Sequence, residues 1–114
     1  MSTDCIFCKI IGGQIPATKV YENDHVLAFH DIQPQAPVHV LVIPKQHLVS
    51  VNDLHAEHSE MLGHLFAAVQ QVAQATGIVE TGYRTVTNTG KDAGQVVPHL
   101  HFHVMGGKSL GHLG

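Results

Sequence analysis

The sequence predicts an α+β fold: a mostly antiparallel five-stranded sheet with one long helix and a short N-terminal helix. Three observations carry this. Short apolar stretches rich in Val, Ile, Leu and Phe recur between turn residues, as strands do. Only one long segment has an apolar period near 3.6. Most connections between strands are too short for a crossover helix, so neighbouring strands run antiparallel. The 114 residues fit a single domain, 1–114, with its own core.

In chain order, Asp4 can cap a short helix through Ile6, Phe7, Ile10 and Ile11, which Gly12-Gly13 ends. Ile15-Pro16-Ala17 reads as extended chain. Lys19 to Glu22 and His25 to His30 form a hairpin around Asn23-Asp24. Asp31 to Pro37 is a loop, because two prolines cannot sit in a central strand. Val38 to Ile43 is a strongly apolar strand stopped by Pro44. Leu54, Met61, Leu62, Leu65, Phe66, Val69, Val72 and Ala73 mark the long helix. Asn52 or Asp53 can cap its start, and Gly77 sits where a left-handed cap belongs. His55, His58 and His64 fall on this helix as surface or boundary residues. Tyr83 to Thr87 is a strand, Asn88 to Gly94 a polar glycine-rich loop, and Pro98 to Met105 the last strand, ended by Gly106-Gly107. The tail from Lys108 to Gly114 carries no strong signal.

Composition narrows the function. A formal net charge of −3 gives no electrostatic reason to bind nucleic acid or an acidic membrane. No apolar run is long enough to span a bilayer. The start, Met1-Ser2-Thr3-Asp4, lacks the pattern of a secretory leader, so a cytoplasmic location is expected. Eleven histidines make net charge sensitive to pH between about 5 and 7. The two cysteines form one Cys-x-x-Cys, Cys5 and Cys8, which is half a metal site or a redox pair in a reducing compartment.

The chemistry concentrates in the last strand. Histidine alternates with apolar residues from His99 to Val104, so His99, His101 and His103 share one face and Leu100, Phe102 and Val104 the other. Packing alone does not explain such a row. It is a metal site or a nucleophilic histidine flanked by helpers. The glycines of the preceding loop can let backbone N–H groups approach an oxyanion. Asp31, at the end of an apolar strand, can hydrogen-bond a sugar diol.

Together these residues resemble the histidine triad superfamily of nucleotide hydrolases and transferases. The resemblance lies in His99-Leu100-His101-Phe102-His103-Val104-Met105, Cys5 to Ile11, Leu27 to Ile32, Ala36 to Lys45 and Gly94-Gln95, in the family's order. It covers about Asp4 to Gly107 and is closest to the Hint branch of purine nucleoside phosphoramidases.

The resemblance implies the following assignments. His101 attacks the α-phosphorus, and water releases the nucleoside monophosphate from a nucleotidyl-imidazole. His103 contacts the phosphate and protonates the leaving amine, His39 supports His101, and His99 completes the catalytic row. Asp31 holds the ribose, with Ile32, Phe29 and His30 around base and sugar. Phe7, Ile10 and Ile15 form the purine wall. Asn88 and Gln95 lie near the phosphate. Val96 stands where the phosphoramidase branch usually has a hydroxyl, and valine cannot donate a hydrogen bond. Cys5, Cys8, His47 and His99 would hold a structural zinc, and catalysis would need no metal. A homodimer through Leu54–Ala75 and Tyr83–Thr87 is implied as well. Competing readings are dinucleoside polyphosphate hydrolysis or nucleotidyl transfer, a purine-nucleotide-binding regulatory module, and a zinc hydrolase with His99, His101 and His103 as ligands.

Overall fold

The computed structural model describes residues 4–112, so the expectations on Met1-Ser2-Thr3 and on the last two residues of the tail lie outside it. Its elements are helix α1 (Ile6–Ile11), strands β1 (Lys19–Glu22), β2 (Val26–His30) and β3 (Val38–Pro44), helix α2 (Ser59–Thr76), and strands β4 (Tyr83–Val86) and β5 (Phe102–Gly106). The five strands form one sheet in the order β1-β2-β3-β5-β4, and every pairing is antiparallel.

Alternation along the strands divides the core into two layers. Val26 and Ala28 of β2, Val40 and Val42 of β3, and Phe102 and Val104 of β5 face α2, where they bury Leu65, Ala68, Val69 and Val72. Leu27, Phe29, Leu41 and Ile43 point to the opposite face, where α1 covers them with Phe7 and Ile10. Strands β2 and β3 are thus buried on both sides, and this is why they read as nearly continuous apolar runs.

Turn chemistry places the ends. Asn23 Oδ1 accepts from the backbone N–H of His25 and Val26 at 2.8 and 3.0 Å, which closes the β1–β2 hairpin. Gly77 adopts φ +76° and ends α2 with a left-handed cap, as expected.

Several boundaries differ from the sequence reading; β2 starts one residue later, at Val26, and β4 ends one earlier, at Val86. The cap of α1 is Cys5, whose Sγ accepts from Cys8 N–H at 3.2 Å, rather than Asp4. Helix α2 starts at Ser59, not near Leu54. Ser50 and Asp53 instead cap and brace a short 3-10 turn at Val51–Asp53, and Leu54 is extended. Strand β3 runs through Pro44, whose residue pairs with Val26. Strand β5 begins only at Phe102. Pro98 has no N–H to pair, His99 N–H bonds Val97 C=O at 2.9 Å, and Leu100 N–H bonds Leu48 C=O, so the chain before Phe102 is fastened outside the ladder.

Candidate active site

The period-two pattern holds through the triad although the ladder does not. Leu100 joins the α2-side core with Phe102 and Val104. His99, His101 and His103 face the α1 side, and Phe7 of α1 meets two of them edge-on, with ring centroids 5.9 Å from His99 and 5.2 Å from His101. The three imidazoles then part company, because each finds different partners.

His101 is 7% exposed and lines a cavity of about 410 Å³. Its Nδ1 lies 2.7 Å from the carbonyl oxygen of His99. A carbonyl only accepts, so Nδ1 carries the proton and Nε2 keeps its lone pair. The carbonyl of His101 itself accepts from Thr87 Oγ1 at 2.8 Å.

His103 is fixed by a short chain of hydrogen bonds. Gln35 backbone N–H donates to His39 Nδ1 at 2.9 Å, so His39 carries its proton on Nε2. That N–H donates to His103 Nδ1 at 2.9 Å, so His39 holds His103 and not His101 as expected, and Asp31 Oδ2 lies 3.4 Å from His39 Nε2. His103 therefore presents its other nitrogen, Nε2, as an N–H donor. Burial, with His101 and His39 beside it, pushes its pKa down to about 4 against the pull of Asp31. Burial also holds His39 below the ordinary histidine value. Both rings are neutral at pH 7.

The cavity joins residues far apart in sequence. Phe7, Ile10 and Ile15 line one wall, Phe29, His30, Asp31 and Ile32 another, and Val96 stands at the rim with His101 and His103. Ile32 and Val96 are 94% and 88% exposed, two apolar side chains held open at the mouth. Among the described residues that line it there is no lysine or arginine. His39 and His99 stand behind the wall. Asn88 and Gln95 brace the loop beside it. Asn88 Nδ2 donates to Ala93 C=O, while Gln95 accepts from Gly90 N–H and donates to Val49 and Val97 C=O. Leu41 and Val97 also line the cavity and escaped the sequence reading. Leu41 was findable, since it lies two residues after His39 and so on the same face of β3.

His99 turns its ring away from the cavity and is fully buried. Its Nε2–H donates to Pro44 C=O at 2.9 Å, which leaves Nδ1 as a lone pair. Nδ1 lies 3.3 Å from Cys5 Sγ, 3.6 Å from Cys8 Sγ and 3.2 Å from His47 Nδ1, and Cys8 Sγ lies 3.2 Å from His47 Nδ1. All four donor atoms fall within 4.8 Å of one another, so the group could hold a metal ion. Bonds of 2.0–2.3 Å in a tetrahedron give donor separations of about 3.3–3.8 Å, close to those seen. The Pro44 carbonyl supplies the outer hydrogen bond that such a ligand uses to fix its tautomer. Burial and the neighbouring Cys5 raise the Cys8 thiol to about 11. A second set of donors, Asp31, His39 and His103, also converges, and His101 belongs to neither set among the described residues, so the three triad imidazoles do not form one metal site.

The described residues contain no helix long and apolar enough to cross a membrane. The family model for the HIT domain matches residues 12–110. A purine nucleoside phosphoramidase of Escherichia coli is 46% identical over 111 residues, 97% of this chain and 93% of that protein. An uncharacterised HIT-like protein of Synechococcus elongatus is 56% identical over 96% of each chain. Among solved structures, a HIT family hydrolase from Clostridium thermocellum superposes with a TM-score of 0.95 at 44% identity, covering 99% of this chain and 98% of that one. A histidine triad protein from Clostridium difficile gives 0.94 at 45% identity, covering 100% and 99%.

Proposed function

This chain belongs to the HIT domain family and is an enzyme of that family, and we propose that it hydrolyses the P–N bond of purine nucleoside phosphoramidates through a covalent nucleotidyl-histidine. The state of His101 carries the reading. One ring nitrogen is committed to a carbonyl and the other is free, on the wall of a cavity with apolar sides and one carboxylate.

In this reading the purine sits between Phe7, Ile10, Ile15 and Phe29, and Asp31 accepts from the ribose hydroxyls. His101 Nε2 attacks phosphorus and the P–N bond breaks. The leaving nitrogen needs a proton. The bound phosphate anion favours an imidazolium at His103, reversing the pressure that keeps it neutral in the empty site. The His39 N–H has Asp31 Oδ2 as a second acceptor, which frees His103 Nδ1 for that proton. His103 Nε2–H then delivers a proton to the amine, and neutral His103 accepts one from the water that attacks the nucleotidyl-imidazole. Nucleoside monophosphate and amine are released and His101 is regenerated.

A lining without lysine or arginine bears on the competing substrate. A polyphosphate leaving group carries several negative charges, and this cavity offers no lysine or arginine to meet them. That favours a phosphorus carrying an amine over dinucleoside polyphosphates.

Two thiolates and two imidazoles suit zinc, and zinc at Cys5, Cys8, His47 and His99 would be structural. The 114 residues act as one domain, in a reducing, cytoplasmic setting. The chain pairs as a homodimer. β4 is an edge strand that carries the exposed Tyr83, and Val79 and Phe66, which stacks edge-on against Phe102 of β5, are exposed as well, the three at 38%, 51% and 48%. Light scattering should give twice the chain mass.

The deciding experiment is hydrolysis of adenosine 5′-phosphoramidate by the intact protein and by His101→Ala, with rapid quenching and intact-mass analysis. The expected result is a protein mass raised by one adenylyl group, and a loss of at least about a thousandfold in kcat/KM in the variant. Activity that survives His101→Ala would overturn the reading.

A further inference from the structure

We propose that the centre formed by Cys5, Cys8, His47 and His99 positions both the nucleophile and the base wall, so that metal loading and nucleotide binding reinforce each other. This rests on the reading of His101 as nucleophile and of the cavity as the nucleotide site.

His99 has two ends. Its ring lies in the centre, within 3.3 Å of Cys5 Sγ and 3.2 Å of His47 Nδ1. Its backbone carbonyl, in the same residue, holds His101 Nδ1–H at 2.7 Å. A metal that holds the ring restrains the His99 backbone, and through its carbonyl the aim of His101. His99 is thus a positioning residue for the reaction.

The second route runs through α1. Cys5 is its cap and Cys8 lies one turn in. The helix has only six residues, too short to be stable alone. Its place on the sheet depends on Phe7, Ile10 and whatever ties down the two sulfurs. Phe7 stands between the two sites, edge-on to His99, His101 and Phe29. It also lines the cavity. Without a cation the four donors must share the few protons they carry, through sulfur–nitrogen contacts at 3.2–3.6 Å. With a cation they are bonded, and the base wall and the nucleophile are set together.

Coupling between sites is reciprocal, so each ligand must tighten the other by the same factor. Reduced protein stripped of metal is titrated with Co²⁺, whose visible spectrum reports a tetrahedral thiolate site, with and without saturating AMP. AMP affinity is measured by calorimetry on loaded and stripped protein. The expected result is roughly a tenfold gain in Co²⁺ affinity with AMP and the same gain in AMP affinity with metal, within the usual range of such coupling. The His101 Nδ1–H proton resonance should sharpen on loading, and Phe7→Leu should bring the coupling factor toward one while Co²⁺ still binds. Cys8→Ala should lose the effect and Cys8→His should restore it.

If the stripped chain unfolds, replacing Zn²⁺ by the larger Cd²⁺ tests the same link in folded protein, through a change in AMP affinity and in the His101 ring ¹⁵N shifts. Equal AMP affinity and an unchanged His101 signal across metal states would overturn the inference, as would failure of the centre to take up Co²⁺. Failure of the loaded protein to bind AMP or to hydrolyse the phosphoramidate would instead overturn the functional reading beneath it.

Discussion

Acidification should destabilise this protein through His103, and the size of the effect follows from its surroundings. The side chain is largely buried, faces His101 and His39, and has a pKa pushed down to about 4. An unfolded histidine has a pKa of about 6.5. Above pH 6.5 neither state holds the proton, and stability is at its full value. As pH falls from 6.5 toward 4 the unfolded chain takes up a proton that folded His103 refuses, so stability is lost over that window. The full slope for one such group is about 1.4 kcal/mol per pH unit. Integrated from pH 7 to pH 5 this comes to about 2 kcal/mol, or about 1–2 once residual contact with solvent is allowed for.

The assay is urea denaturation at a series of pH values, run on the intact protein and on His103→Gln. Glutamine does not titrate, so the difference in slope between the two proteins isolates His103 from the cysteines, His39 and His99. The variant should lose about 1–2 kcal/mol less than the intact chain between pH 7 and 5. Parallel curves would refute the argument that burial and the Gln35–His39 chain hold this ring neutral. So would a ring proton whose NMR titration is centred near 6.5.

Other expectations follow from single contacts. Replacing Asp31 by Asn should weaken binding of AMP far more than of its 2′,3′-dideoxy analogue, because a hydrogen bond to a charged acceptor is worth about 1.5–3 kcal/mol, roughly tenfold to a hundredfold in Kd. Equal losses for both ligands would remove Asp31 from the ribose. Val96→Ser restores a hydroxyl at the cavity rim. It should raise kcat/KM for adenosine 5′-phosphoramidate a few-fold with Tm unchanged, since the side chain is 88% exposed. An unchanged rate would show that this position does not reach the leaving group. Gly106→Ala puts a Cβ 3.1 Å from Ile78 Cδ1 and 3.2 Å from Gly82 O, a crowding that should cost about 1–3 kcal/mol and lower Tm by several degrees. An unshifted melting curve would mean that the junction of β5 with the segment after α2 can yield.

Local pattern is enough to read the elements and their faces. The apolar run Val38 to Ile43, the period-two alternation around the triad and the 3.6 period of α2 arise from local geometry, so they survive without knowledge of the fold. The same alternation put His101 and His103 on the α1 side, opposite Phe102 and Val104. Boundaries were less legible. Asp53 has the chemistry of a helix cap, but its carboxylate takes the N–H of Val49 at 2.8 Å instead, and α2 waits until Ser59.

How the eleven histidines divide their labour depends on contacts between residues distant in the chain. Alternation alone leaves His99 and His101 equivalent, and only the family resemblance set them apart; in the fold one turns its ring to Cys5, Cys8 and His47 and the other to the cavity. Which nitrogen keeps a lone pair depends on carbonyls supplied by Pro44 and by His99 and on the backbone N–H of Gln35. Burial has the same character. It pushes His103 to about 4 through neighbours that include His39, 64 residues away in the chain. Periodicity reports the direction of a side chain from its own backbone. Tautomer, charge and pKa belong to the atoms that face it, and those are chosen by long-range pairing, here the antiparallel register that sets Leu41 opposite His103 and His39 opposite Met105.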